Sequence, residues 1–326
     1  MKHLKAFTIL TGFIILNISV LAQSRLNHNK RAAELNIEIF KIIKKYSLFT
    51  DKLNWEEIKS ASEKLEFTDS DSINDQLIFN FYRKKFKAAG DKHSFFISSK
   101  TINEISQTPV IEMPEGEYLG NGIGWIKVPR LMTFDEKKDL AFANSIRNII
   151  EKIDTANRVT GWIVDLRHNG GGNMWPMLAG LNALVDDGTA GYFVQGKTKS
   201  AWRNENGKIL GKDQPINTYK IKNNKVKIAV LFDAKTGSSG EMTAVSFLGL
   251  PNVKSFGQTT AGYVTANSTF QLSNGAQLLL ARTYVTDRTG KSYKGEIVPD
   301  VQVDDLSNTK RDNVIKTAAA WLNETQ

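Results

Sequence analysis

Val226-Lys-Ile-Ala-Val-Leu-Phe-Asp233, Lys235-Thr-Gly-Ser-Ser-Gly-Glu241 and Met242-Thr-Ala-Val-Ser-Phe-Leu-Gly-Leu250 follow one another almost without a break, and their order decides the fold. The first is an apolar run that reads as a buried strand, and the third has the length and character of a helix. The Gly-flanked serines between them stand at a strand-to-helix turn, near backbone N–H groups left without partners at the helix start. Nucleophilic serines are presented this way, which makes Ser238 a candidate. The plain alternative is that Ser238 or Ser239 only caps the helix, since Ser is a favoured cap residue.

Outward from this segment, strands and helices alternate. Ile123-Gly-Trp-Ile-Lys-Val128 reads as a strand, Phe134 to Ile153 as an amphipathic helix, and Gly161-Trp-Ile-Val-Asp-Leu166 as a strand. A helix is expected near Trp175 to Val185, and a polar excursion around Arg203 to Lys212. Short strands are expected through Val253–Phe256, Ser268–Leu272 and Leu278–Val285, with a closing helix from Thr309 to Leu322. This alternation implies a layered α/β core. Ahead of it, Ile37, Ile39, Phe40, Ile43 and Tyr46, then Leu77, Phe79, Tyr82 and Phe86, recur at helical spacing and predict a small N-terminal helical region.

Composition narrows the function. At 41% hydrophobic and 24% charged residues the chain is globular rather than disordered. Lys2 and Lys5, the apolar run from Ala6 to Val20 and the small-residue site ending at Ala22 form the pattern of a secretory signal peptide, with cleavage expected after Ala22. An exported protein, periplasmic or secreted, is the expectation, with no integral membrane span after cleavage. The chain has no cysteine, which excludes disulfides, thiol catalysis, Cys-based zinc sites and lipid attachment at a cleavage-site Cys. The net charge of +9 is scattered without interleaved aromatics, so a solvated surface is expected and no nucleic-acid partner. No cofactor and no metal site are expected.

A nucleophilic serine needs a base and oxyanion donors. The chain has four histidines: His3 lies in the leader, His28 in the polar start of the mature chain, and His168 inside a Gly-rich loop. His93, in Gly90-Asp-Lys-His-Ser94, is the best-placed base, against the alternative of a structural histidine. All four precede Ser238, and this order excludes the α/β-hydrolases, whose histidine comes last. The Gly-rich loop Asp165-Leu-Arg-His-Asn-Gly-Gly-Gly172 also follows a buried strand, and its N–H groups suit an oxyanion hole or a phosphate cradle. It lacks the spacing of a phosphate motif. Asp165 and Arg167 read as a structural pair.

Taken in order, Gly90-Asp-Lys-His-Ser94, the Asp165 to Gly172 loop, Thr236-Gly-Ser-Ser-Gly-Glu241 and Ile297-Val-Pro-Asp300 resemble the tail-specific, or C-terminal processing, serine peptidase family. The resemblance implies an αβα sandwich core of the crotonase/Clp-protease type and peptide-bond hydrolysis of a polypeptide substrate by Ser238. It also implies an oxyanion hole from the N–H of Ser239 and a glycine of the loop, Gly170 or Gly171. Where the best-known branch places a lysine base after Gly257-Gln-Thr-Thr-Ala-Gly262, this chain has Tyr263. It is more similar to the branch of the tricorn core and the interphotoreceptor retinoid-binding protein modules, which implies His93 as base and Glu296 as the acid that orients it. The tricorn core's Ser before its His is Lys92 here. The stretch from Phe96 to Gly122 is too short for a PDZ domain, so the expected organisation is a leader (1–22), a helical region ending in the His93 segment (23–105) and the catalytic core (106–326). Two other readings share the fold: a ligand- or peptide-binding module with little or no turnover, and acyl-CoA chemistry, which export disfavours.

Overall fold

The computed structural model describes residues 2–107, 111–205, 208, 217–304 and 312–324, with side chains at residue 23 and from residue 25 onward. The leader's side chains, most of the excursion near Arg203 to Lys212, and the expected start of the last helix at Thr309 fall outside the described residues. The chain divides into two compact units, Met1–Ser99 with Asn267–Ala281, and Lys100–Ala266 with Arg282–Gln326.

In the N-terminal unit, helices α1 (Lys2–Tyr46), α2 (Trp55–Ser62) and α3 (Asp71–Ala88) precede strand β1 (Phe95–Ile97). The α1 stripe Ala32, Leu35, Ile39 and Ile43 packs with Ile78, Phe79, Tyr82 and Phe86 of α3. Ile37, expected in that stripe, is exposed instead, because it lies off the i, i+4 row that Leu35, Ile39 and Ile43 define. The unit is completed by a later part of the chain. Leu278 and Leu280 join its core, and β1 pairs antiparallel with the first half of β10, with Phe95 opposite Leu279.

The other unit carries α4 (Ser99–Gln107), β2 (Glu115–Gly120), β3 (Ile123–Lys127), α5 (Glu136–Ala156), β4 (Gly161–Asp165), α6 (Met174–Leu181), β5 (Gly188–Gln195), β6 (Thr198–Asn204), β7 (Lys227–Phe232), α7 (Ser239–Val245) and β8 (Val253–Gly257). Strands β9 (Thr265–Gln271) and β10 (Gln277–Asp287) run out of it and back, before β11 (Ser292–Tyr293), β12 (Val301–Gln302) and α8 (Asn313–Asn323). Its main sheet has the order β12-β8-β7-β4-β3-β2, parallel except for the β2–β3 edge pair. A second, antiparallel sheet joins β6, β5 and the latter half of β10.

Side-chain alternation along the central strands builds three layers. Trp162 and Val164 of β4, with Ile228, Val230 and Phe232 of β7, face Phe142, Ile146 and Ile150 of α5, Met177 of α6 and Met242 of α7. The intervening Ile163, Ala229 and Leu231 face Val314, Ala318 and Leu322 of α8. A sheet buried on both faces needs apolar residues at every position, which is why β4 and β7 are continuous apolar runs. The αβα sandwich is therefore present. The helix after β7 begins three residues before the expected Met242 and ends at Val245, so Ser238 itself is the residue at its N-cap position.

Candidate active site

Strand β7 ends at Phe232, and the chain turns through Asp233–Gly237 before α7 begins. Asp233 organises this turn by accepting from the N–H of Lys235 (3.0 Å) and of His168 (3.0 Å). The Thr236 hydroxyl donates to the Leu166 carbonyl (2.8 Å), and the Gly237 N–H donates to the Asn169 carbonyl (3.0 Å). The elbow after β7 is thus tied to the Gly-rich loop after β4.

Ser238 then takes φ 54°, ψ −120°. An ordinary N-cap residue has extended backbone with negative φ. A residue with a Cβ at positive φ is sparsely populated and costs on the order of 1–3 kcal/mol, which the surrounding bonds must hold. Ser238 does close a capping box with Glu241, but capping by itself does not call for this conformation. Ser239 caps nothing with its side chain: its hydroxyl donates to the Gly172 carbonyl at 2.5 Å. The Ser239 N–H, at the first helical position, is among those left without an intrahelical acceptor.

Glu241 is fully buried, and its carboxylate accepts from four donors: the N–H of Ser238 (2.8 Å), Gly262 (2.8 Å) and Tyr263 (2.8 Å), and the Thr260 hydroxyl (2.5 Å). Burial pushes its carboxyl above the ordinary carboxylate value, against the pull of those four bonds. Sequence reasoning passed over Glu241 as a site residue, although Ser238-x-x-Glu241 has the capping-box spacing.

In the Gly-rich loop, Arg167 forms the expected structural pair with Asp165 (2.6 Å) and also bridges to Asp312 (2.7 Å) at the start of α8. His168 is exposed, with Nδ1 2.7 Å from Asp233 Oδ2. The Gly170 N–H donates to the His168 carbonyl (3.0 Å) and the Gly171 N–H to Asn169 Oδ1 (3.0 Å), so both expected glycine donors are engaged inside the loop. Gly171, at φ 105°, presses against the elbow: a Cβ there would lie 2.8 Å from Ser238 Cβ and 3.1 Å from the Ser239 nitrogen. Asn169 is the buried post of this arrangement, its Nδ2 donating to the Val128 carbonyl (3.0 Å), while its own carbonyl abuts Gly240 so closely that no side chain fits there.

Glu296 is exposed and lies against Gly262, where an added Cβ would come 3.1 Å from its Cγ and Cδ. It lines a cavity of about 460 Å3 with Leu248, Val253, Lys291, Lys294 and Val298. A smaller cavity of about 170 Å3, lined by His168, Asp233 and Lys235, opens at the carboxyl ends of β4 and β7, where ligands bind open parallel sheets. Tyr263, in the place of the lysine base, packs its ring over Gly237. Lys254 and Lys291 stack on Trp321 (5.3 Å) and Tyr293 (5.5 Å). Among the described residues no group of three or more His, Asp or Glu could hold a metal ion.

The core unit thus brings together Ser238, Ser239, Gly171 and Glu241, with Glu296 alongside Gly262. His93 belongs to the N-terminal unit. There Asp91 accepts from the N–H of His93 (3.0 Å) and of Ser94 (2.9 Å), and the His93 carbonyl accepts from Asn267 Nδ2 (2.9 Å). Its backbone is pinned on both sides and the residue is buried.

The profile of Peptidase family S41 matches residues 122–303, a span from β3 through β12 that contains the Gly-rich loop, the elbow and Glu296. The chain belongs to this family. It is 38% identical over 266 residues to the nisin-resistance protein of Lactococcus lactis subsp. lactis, covering 80% of each protein. Among solved structures it is similar to a lipoprotein from Streptococcus agalactiae, with 30% identity, a TM-score of 0.74, and coverage of 89% of this chain and 96% of that one. The photosystem II D1 C-terminal processing protease shares the fold at 12% identity and a TM-score of 0.57, over 90% of this chain and 97% of that one. The chain thus belongs to a peptidase family, as its motifs lead one to expect, and a peptidase family implies a polypeptide substrate. Among the described residues no helix is long and apolar enough to cross a membrane.

Proposed function

We propose that this S41 chain is an exported serine endopeptidase with Ser238 as nucleophile and His93 as general base. The observation that carries the reading is the φ 54°, ψ −120° backbone of Ser238 at the turn between a buried parallel strand and a helix, with the Ser239 N–H beside it. In the proposed reaction Ser238 Oγ attacks the scissile carbonyl while the His93 imidazole takes its proton. The Ser239 N–H stabilises the oxyanion, joined by the Gly170 or Gly171 N–H once it is released from its bond inside the loop. The imidazolium then protonates the leaving amine, and a water activated by the same ring releases the acyl group. Glu296 is the proposed orienting acid.

Export rests on the leader pattern of residues 1–22. The absence of cysteine leaves this chain without the cysteine that a cleavage-site lipid anchor would need. The name of the 38%-identical relative makes nisin the first substrate to test. Incubating nisin with the wild-type protein and with Ser238→Ala, and following peptide masses, should give wild-type-only cleavage products; intact nisin in both would count against nisin as substrate.

A second reading, a binding module with weak turnover, is favoured by one observation: the Gly170 and Gly171 N–H groups both donate within their own loop. The two readings part at the rate of covalent chemistry, since a binding module with little or no turnover phosphonylates Ser238 slowly or not at all.

A further inference from the structure

Two different tasks meet at one buried carboxylate. Glu241 Oε2 accepts from the N–H groups of Ser238 and Tyr263, and Oε1 from the Thr260 hydroxyl and the Gly262 N–H. The Thr260 hydroxyl also accepts from the Ile297 N–H (2.9 Å), and the Thr260 N–H donates to the Ile297 carbonyl (3.1 Å). One carboxylate therefore links the elbow, the loop that follows β8, and the segment carrying Glu296.

We propose that Glu241 is a positioning residue that clamps the nucleophile elbow to the 260–263 loop, so that Ser238 and the Tyr263–Glu296 wall of the site are set as one piece. The proposal rests on the reading of Ser238 as nucleophile. A helix cap does not need this arrangement: an N3 glutamate satisfying one N–H does so from the surface. Burying a carboxylate is costly unless its oxygens are filled, and only the ionised acid accepts on both oxygens from so many donors. The donors explain the backbone as well. The Ser238 N–H is fixed by Glu241 and the Gly237 N–H by Asn169, so both peptides leading into the elbow are held. A serine at positive φ persists only when its surroundings over-determine it.

Glutamine is the informative change. It keeps the shape but turns one oxygen into an NH2 donor, which faces either the Ser238 and Tyr263 N–H groups or the Gly262 N–H and the Thr260 hydroxyl. One half of the clamp is lost whichever way the amide turns.

The test is inactivation kinetics with a fluorophosphonate probe on full-length wild type, Glu241→Gln, Thr260→Val and Ser238→Ala, each confirmed folded at the assay temperature by thermal unfolding. The clamp predicts that the maximal inactivation rate of Glu241→Gln falls roughly 10- to 100-fold, as loss of charged hydrogen bonds implies. The half-saturating probe concentration should stay within about 3-fold. A merely structural role would reduce the folded fraction, and so the labelled amplitude, without this split. If Glu241→Gln does not fold, Thr260→Val, which keeps the carboxylate and its three N–H donors, decides by the same split. A wild-type inactivation rate in the deciding variant, with Ser238→Ala inert, overturns the clamp and leaves the nucleophile standing. Unlabelled wild type, or labelled Ser238→Ala, instead overturns the reading of Ser238.

Discussion

Gly170 and Gly171 are adjacent residues of one loop, yet alanine should act very differently at the two. At Gly171 an added Cβ would lie 2.8 Å from Ser238 Cβ, 3.0 Å from the Gly237 carbonyl oxygen and 3.1 Å from the Ser239 nitrogen. Carbon contacts settle at roughly 3.5–4.0 Å, so the elbow or the loop must yield by several tenths of an ångström. Two of these partners are backbone and the third is a Cβ, and none has a rotamer to escape into. Overpacking of this kind costs about 1–3 kcal/mol, and φ 105° adds a further 1–3 kcal/mol or so for a residue with a Cβ. Gly171→Ala should therefore lose about 2–6 kcal/mol of stability, read from the urea midpoint. If folded, it should react with a fluorophosphonate about 100-fold more slowly, because a displaced elbow misplaces the nucleophile. At Gly170 the nearest heavy atom to an added Cβ is 3.8 Å away, an ordinary contact. Gly170→Ala should stay within about 1 kcal/mol of wild type and within a few-fold in labelling rate. Equal behaviour of the two variants in both assays would refute the close approach of loop and elbow.

Two further outcomes follow from the packing behind the site. Arg147 is fully buried and donates to the Ala179 carbonyl (3.0 Å), the Tyr219 carbonyl (2.7 Å) and Asn182 Oδ1 (3.1 Å); burial pushes its pKa down to about 10. Arg147→Ala strands three acceptors and should cost about 3 kcal/mol or more by denaturant melting, and a loss under 1 kcal/mol would contradict that accounting. For Asp312, burial works to raise the carboxyl pKa, but the Arg167 hydrogen bond and the first N–H groups of α8 outweigh it and hold it below its ordinary value. A depressed folded-state pKa contributes stability that is present above the unfolded value near 3.8 and lost as pH falls through the folded one. Wild type and Asp312→Asn should therefore differ most above about pH 4 and converge below it; a gap that widens on acidification would reverse the sign.

The central strands were legible because a sheet covered on both faces leaves no polar position to blur the pattern: β4 and β7 are apolar at nearly every residue. Ser238 was legible for a related reason, since Gly237 and Gly240, a few residues past such a strand, mark a turn that presents a side chain beyond the sheet's carboxyl end. Glu241 was not. Its spacing from Ser238 is that of an exposed capping box, and nothing local tells that Thr260, Gly262 and Tyr263 fold over its carboxylate. The joining of Asn267–Ala281 to the N-terminal helices was hidden as well, because it rests on pairing of Phe95 with Leu279, a contact with no local trace in periodicity. The Gly-rich loop was read for its N–H groups, but Asn169, the residue that receives the Gly171 N–H and carries the elbow, is what ties the loop in place.

The central claim is that Ser238 is a nucleophile activated by His93, and covalent labelling tests it directly. Wild type, Ser238→Ala and His93→Ala, each shown folded by thermal unfolding, are treated with a fluorophosphonate and the modified residue is mapped by peptide mass. Modification of wild type at Ser238, none in Ser238→Ala, and a rate at least about 100-fold lower in His93→Ala is the predicted result, since general-base assistance is worth about 10²–10⁴. Unmodified wild type, or His93→Ala reacting as fast as wild type, would contradict it.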